Sequence, residues 1–443
     1  MSLLSFAQQI HRDIHDHDSR DTRDILACGA TTLDLLCSAS GALLKSIETR
    51  SHSTSTTADT HLINVLDTLL AYANDHINAV NFQEVSRQWL RLYTDASLLR
   101  SAVDLLSPGP DAWREAVRRL DLTTIVAGSV GEGRSHWVQD LIREAQKNNA
   151  RPATPLRPQK RVRHAHTQPE VHLSSWAAAS IREMDAAPSF DRYVSQEYNR
   201  PFIVRGYASS WPALTRWKSA EYLLDTVGEG RVVPVETGLA YVDEDWGQTI
   251  MSFRTFLSRC GFDVEPEGRE NRVLYLAQHT LFKQFPQLER DFVVPDYVWA
   301  DLKSEEPNYE PVDADLVPLI NVWIGHSDGH AISPAHTDPH YNCYVQVLGK
   351  KRVWLAPPYV TPHMKTYGAE DTGLNSCMTN TSQIPILREG QEKQAPPDFI
   401  ANVVPVAQEA VLFPGDLLVM PSGWWHSMRG EGTGPGWSVS MWY

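Results

Sequence analysis

The tripeptide His336-Thr337-Asp338 is the sharpest chemical feature of the sequence. On an extended strand, residues i and i+2 point to one face, so an imidazole nitrogen and a carboxylate oxygen converge on a single point. A second histidine would complete a set of two imidazoles and one carboxylate, which leaves three adjacent positions open on an octahedral iron(II). His426 is the best candidate. It follows the apolar run Leu417–Met420, the turn Pro421-Ser422-Gly423 and Trp424-Trp425, which would put it at the mouth of a barrel. The tripeptide alone is weak evidence: among 17 histidines and many aspartates such spacing arises by chance, and a solvated His–Asp pair is the ordinary reading.

The elements around these residues read as β. Short apolar runs at Phe202–Val204, 232–235, 273–276, 319–324, 343–347, 353–356, 411–413, Leu417–Met420 and 439–442 are separated by Gly and Pro. Many short strands with turn chemistry between them predict a sandwich or barrel rather than a βαβ fold. Pro414-Gly415-Asp416 makes a tight turn between two of them. Residues 359–408, rich in Pro, Asn, Thr and Gln, read as a long insertion loop.

The first third is different. Leu62, Val65, Leu66, Leu69, Leu70, Ala73 and Ile77 recur at three- and four-residue steps, one face of a helix. Asp111 is placed to cap a helix that buries Trp113, Ala116, Val117 and Leu120. Between them Trp89, Leu92, Tyr93, Leu98, Leu99, Val103 and Leu106 predict a further helix or helix pair, stopped at Pro108. Residues 147–169 then mix Pro152, Pro155, Pro158 and Pro169 with Arg151, Arg157, Lys160, Arg161 and Arg163, a solvated linker whose basic cluster could serve nuclear import. The expected organisation is α+β: a helical domain over 1–146, a linker over 147–170 and a second domain over 171–443, with a jelly-roll core from about 270.

Composition sets the bounds. With 42% apolar and 21% charged residues among 443, the chain has the mix of a soluble globular protein of two domains. No run of eighteen apolar residues predicts a membrane span, and residues 1–18 do not read as a signal peptide. The five cysteines, Cys28, Cys37, Cys260, Cys343 and Cys377, have no CxxC spacing, which argues against a disulfide framework or a cysteine zinc site. A net charge of −14 argues against direct nucleic-acid binding and favours a basic protein or peptide partner.

Beyond these readings, Asn321-Val322-Trp323-Ile324-Gly325, Ile332-Ser333-Pro334-Ala335-His336-Thr337-Asp338-Pro339, Asn342 and Val345-Gln346-Val347-Leu348-Gly349-Lys350-Lys351-Arg352 resemble the core of JmjC oxygenases. The stretch from Phe413-Pro414-Gly415-Asp416 through Trp424-Trp425-His426 to Ser438-Val439-Ser440-Met441-Trp442 resembles their closing strands. Tyr275-Leu276-Ala277-Gln278-His279, Leu281-Phe282, Pro234-Val235-Glu236-Thr237-Gly238 and Trp246 are similar to the small arginyl-hydroxylase branch.

The resemblance spans roughly 201–443 and implies a cupin-like double-stranded β-helix that uses Fe(II), 2-oxoglutarate and O2. It implies metal ligation by His336, Asp338 and His426, and co-substrate binding by Lys351, Tyr275, Ser333, Asn342 and Trp442. Glu236, Gln278 and Trp323 would then bind the substrate. Lys351 could equally sit on an exposed hairpin with Lys350 and Arg352, and Trp442 could be an ordinary core indole. His326, His330, His340 and His363 crowd the same region without matching the ligand pattern.

The implied activity is hydroxylation of a basic side chain, arginine first, in a protein of histone, ribosomal or chromatin-associated type, in the nucleus or cytoplasm. The alternatives are N-methyl-lysine demethylation of a histone, an inactive JmjC-like binding module, and a cupin-type enzyme that works without 2-oxoglutarate.

Overall fold

Leu62, Leu66, Leu69 and Ala73 line the buried side of a helix over Thr60–Asn78, with Val65, Leu70 and Ile77 packed at its margins. The computed structural model describes residues 2–16, 18–50, 60–81, 84–107, 109–147, 172–195, 200–243, 246–264, 273–304, 306–313, 316–368 and 378–443. The chain divides into two compact units, Met1–Thr154 with Leu224–Val233, and Pro155–Leu223 with Pro234–Tyr443. The expected linker, its basic cluster and Cys377 lie almost wholly outside the described residues.

The helical unit contains α1 (Leu3–His15), α2 (Arg20–Leu26), α3 (Ala30–Arg50), α4 (Thr60–Asn78), α5 (Arg87–Leu106), α6 (Ala112–Ala127) and α7 (Arg134–Lys147). The stretch read as one helix or two is the single helix α5. Asp111 does precede α6, but its carboxylate takes the Arg114 guanidinium and makes no side-chain cap. An acid with a cation three residues on has a stronger partner than a backbone N–H. No helix among the described residues is long and apolar enough to cross a membrane.

Polar groups inside this unit are paired. Asp95 on α5 is fully buried between Arg91 and Arg134, and Asp121 takes Arg231 and the Val232 N–H. The segment Leu224–Val233 therefore belongs with the helices, although the sequence reading assigned it to the second domain.

Burial works against the Asp95 charge, yet the two guanidiniums outweigh it and hold the carboxyl below the usual range. Because the folded value is depressed, this stabilisation is present above the unfolded value near pH 4 and is lost as pH falls through the folded one. Asp95→Ala should cost about 3–5 kcal/mol at pH 7, since it strands buried cations. Urea titrations followed by helical circular dichroism at pH 7 and under acid check this: the gap between variant and parent should close in acid.

The second unit is built on two sheets. Its strands are β1 (Ala179–Ser180), β2 (Glu183–Met184), β3 (Phe202–Val204), β4 (Val232–Thr237, which enters this unit at Pro234), β5 (Gly247–Ser252), β6 (Leu274–His279) and β7 (Leu319–His326). They continue as β8 (Ile332–His336), β9 (Asn342–Leu348), β10 (Lys350–Ala356), β11 (Gln408–Leu412), β12 (Leu417–Met420), β13 (Trp425–Glu431) and β14 (Pro435–Trp442). One sheet runs β1-β11-β10-β13-β8, the other β2-β3-β12-β9-β14-β7-β6-β4-β5.

Val353, Leu355, Ala410, Leu412 and Met428 from the first sheet meet Ile203, Tyr344, Leu418 and Met420 from the second in one buried cluster. This is the double-sheet jelly-roll arrangement. The alternation that buries Val353 and Leu355 also turns Lys351 inward, and a one-residue slip would put all three outside.

The stretch 359–408 corrects the sequence reading. It carries a helix over Pro397–Asn402, short 3-10 turns, and a second buried cluster in which Val360, Met364, Ile384, Ile386, Leu387 and Phe399 pack on Trp354 and Trp425. Its Pro-rich composition hides an apolar set spaced too irregularly for either period.

Candidate metal centre

His336 ends β8 and His426 is the second residue of β13, and the two face one another in the antiparallel ladder. Their ring centroids are 4.2 Å apart. Asp338, two residues beyond His336, brings one carboxylate oxygen 3.7 Å from His336 Nε2 and the other 3.4 Å from His426 Nε2. All three ligand atoms lie within 4.8 Å of one another, and among the described residues no other such cluster of His, Cys, Asp or Glu forms. His426 follows the turn Pro421-Ser422-Gly423 and Trp424-Trp425 and lies in β13, a strand that the sequence did not mark. The run Trp425 to Glu431 ends in Arg, Gly and Glu and lacks a β-branched signal.

Both imidazoles are held by their far nitrogens. His336 Nδ1 sits 2.8 Å from the Pro334 carbonyl and His426 Nδ1 3.0 Å from that of Trp424. With Nδ1–H donating to a carbonyl, each Nε2 is turned toward the other two side chains, the arrangement of a metal-ligating histidine. Burial works against a charge on His426, but Asp338 outweighs it and raises that imidazole. Burial and the neighbouring His426 push His336 down to about 4, so it is neutral at pH 7. The site opposes burial of the Asp338 charge, but His426 and His336 overcome that and hold its carboxyl at about 2. A neutral imidazole beside an ionised acid is the donor set that iron(II) accepts.

Lys351, Tyr275, Ser333 and Asn342 converge on one side of this centre. Tyr275, Ser333, Asn342, Tyr344 and Trp323 line a cavity together with the three ligands. The Lys351 side chain is buried, and its Nζ donates to the Tyr275 hydroxyl at 3.0 Å. Burial, followed by the Glu236 charge, pushes the Tyr275 phenol up, while Ser333 opposes both. Gly325 makes room for Tyr275, its ladder partner: a Cβ there would lie 2.6 Å from the ring. An ammonium and hydroxyls in a cavity beside a metal can hold the far carboxylate of a dicarboxylic acid.

Asn342 accepts from Ser440 at 2.9 Å. Trp442 stands opposite Asn342 in the β9–β14 ladder, and its ring lies 5.2 Å from that of His340. Of Lys351's neighbours, Lys350 is exposed, whereas Arg352 pairs with Glu409 and Glu431.

The remaining sequence candidates fall into place around this centre. Glu236 is opposite Tyr275 in the β4–β6 ladder and half-buried. Burial pushes its carboxyl up; the Trp246 indole, which has no other partner among the described residues, pulls the other way. Trp323 lies 6.0 Å from Tyr275, ring to ring. Gln278 is exposed on a bulge of β6, with a left-handed φ of 49°. His326 meets Asp328, His363 meets Asp398, and His340 meets the Glu310 carbonyl. His330 anchors only its backbone N–H on Asp328. None of these four joins the metal cluster.

Two groups escaped the sequence reading. Burial, with Asp338 and Glu236 acting in the same direction, raises the Tyr241 phenol to about 12. Its hydroxyl lies 3.4 Å from that of Thr381. Asn380, Thr381 and Ser382 lie along the end of β8, where Thr337 N–H donates to Asn380 and Ser382 N–H to Ala335. The motif Pro234–Gly238 with Trp246 flanked Tyr241 and could have flagged it; no local signal marks Asn380–Ser382.

Residues 186–443 match the cupin-like domain family, and the chain belongs to it. Its double-sheet fold and two-histidine, one-carboxylate centre are those of the JmjC class, the 2-oxoglutarate-dependent oxygenases. Over 266 residues it is 35% identical to Jumonji C domain-containing protein 5 of Drosophila melanogaster, a match that covers 59% of each chain. Over 383 residues it is 28% identical to lysine-specific demethylase 8 of Danio rerio, covering 85% of this chain and 86% of that one. It is 26% identical over 248 residues to the human bifunctional peptidase and (3S)-lysyl hydroxylase JMJD7, covering 52% of this chain and 73% of that protein.

Proposed function

We propose that this chain is an Fe(II)- and 2-oxoglutarate-dependent protein hydroxylase whose target is an arginine side chain. His336, Asp338 and His426 would hold the iron, and Lys351, Tyr275, Ser333 and Asn342 the co-substrate, with Trp442 closing the mouth beside His340. With O2 these cofactors supply hydroxylation of a C–H bond, 2-oxoglutarate leaving as succinate and carbon dioxide. The protein's own part is to orient the target side chain and exclude water.

The observation that carries the choice of target is Glu236. It is a half-buried carboxylate with no cationic partner among the described residues, beside Tyr241 and Trp246. A half-buried acid is costly until a cation meets it. A guanidinium offers two parallel N–H donors to a carboxylate, whereas a methylated ammonium has fewer or none. Trp323 supplies a ring face for the same group and Gln278 an amide at the exposed bulge.

The test is mass spectrometry of an arginine-containing substrate protein or peptide after turnover. Gain of one oxygen on arginine supports the reading; loss of a methyl from lysine replaces it with demethylation. Glu236→Gln should weaken an arginine peptide by about 2–4 kcal/mol, roughly thirtyfold to nearly a thousandfold, with 2-oxoglutarate affinity unchanged. Equal peptide affinity in variant and parent would remove arginine as the target.

A further inference from the structure

We infer that the ion pair Asp243–Arg388 is the clasp that positions the wall of the site carrying Glu236, Tyr241 and Trp246, which makes Arg388 a positioning residue for substrate binding. Arg388 Nη2 donates to both carboxylate oxygens of Asp243, at 2.7 and 2.9 Å. The pair is mostly buried, with 25% and 21% of the two side chains exposed, so solvent screens it less than a surface pair.

The pair joins two segments that are distant in the chain and meet at the metal centre. The wall, 236–243 with Trp246, is tied to β8 where the Ile332 N–H donates to the Leu239 carbonyl at 3.1 Å. The arm, 378–396, is tied to the metal-bearing end of β8 through Asn380 and Ser382. Tyr241 Oη and Thr381 Oγ1 lie 3.4 Å apart, so wall and arm touch again where Thr381 bridges to His336 at the end of β8. Asp243–Arg388 closes the outer end of this loop of contacts.

The backbone before Arg388 shows that its direction is enforced. Leu387 is buried and left-handed at φ 63°, a conformation leucine rarely adopts. The Arg429 guanidinium holds the Leu387 carbonyl at 3.0 Å, and the Arg388 N–H donates to Pro385 at 3.1 Å. A residue kept in a disfavoured conformation by its neighbours is over-determined, and here the result is to aim Arg388 at Asp243. The pairing also neutralises the Asp243 charge, so that it does not compete with Glu236 for a cationic side chain.

The clasp stands on this geometry; only its consequence for binding rests on the arginine reading. The experiment uses the full chain loaded with Mn(II) and 2-oxoglutarate, as parent, Asp243→Ala, Arg388→Ala and the exchanged pair Asp243→Arg/Arg388→Asp. Hydrogen exchange of the amides in 238–243 should speed up about tenfold in each single variant and return toward the parent in the exchanged pair. Affinity for N-acetyl-arginine amide should fall and recover in parallel, with 2-oxoglutarate affinity unchanged. Unchanged exchange in the single variants, or no recovery in the exchanged pair, overturns the clasp. If exchange responds while probe binding is indifferent to both Arg388→Ala and Glu236→Gln, the clasp holds and the arginine reading fails.

Discussion

His336→Ala should release no succinate above background and should bind iron(II) far more weakly than the parent, with the fold intact. The side chain is one of three donors, and among the described residues no further His, Cys, Asp or Glu joins the cluster to take its place. Loss of an outer hydrogen-bond partner typically costs a metal site about 10–100-fold in affinity or activity, and loss of a ligand itself costs more. Ala335 and the inward side chains of β8 keep their packing, so the thermal midpoint of the metal-free protein should move little.

The informative control is His340→Ala. His340 is two residues from Asp338 but turns toward the Glu310 carbonyl and Trp442, so this variant should keep near-parent iron affinity. Anaerobic titration calorimetry with iron(II) compares the three proteins. Parent-like iron binding and turnover in His336→Ala would remove the metal assignment and the oxygenase mechanism with it.

The contrast between these histidines shows what sequence can and cannot convey. His336 and Asp338 are legible because strand periodicity alone brings them to one face. Lys351 is legible as an inward residue only once Val353 and Leu355 are known to face the core, since Gly349-Lys350-Lys351-Arg352 reads equally well as a surface hairpin. His426 could be chosen from the preceding strand and turn, but its pairing opposite His336 is a long-range register that no local pattern states. Tyr241, Arg388 and Asn380–Ser382 lie in stretches without a period, and their meaning comes from what crosses over from elsewhere in the chain. The Leu224–Val233 segment was misassigned for the same reason. Its place among the helices depends on Asp121 reaching Arg231, over a hundred residues away.

Lys351→Met should raise the 2-oxoglutarate concentration needed for half-maximal turnover about a hundredfold, while iron affinity stays near that of the parent. Methionine keeps an unbranched stem that can pack beside Val353, so the sheet is preserved and the loss is electrostatic. Removing the cation from a buried carboxylate pair costs about 2–5 kcal/mol, and roughly 3 kcal/mol is a hundredfold.

Tyr275→Phe removes only the neutral hydroxyl that meets Lys351 Nζ at 3.0 Å, so its effect should be smaller, about tenfold or less. That ordering is diagnostic. If Lys351 merely braced Tyr275, the two variants would be equally impaired and both would melt earlier; if it holds the co-substrate, the lysine variant is the worse and its deficit shrinks at saturating 2-oxoglutarate. Full activity of Lys351→Met without added 2-oxoglutarate would instead identify a cupin-type enzyme that uses the same metal by a different chemistry.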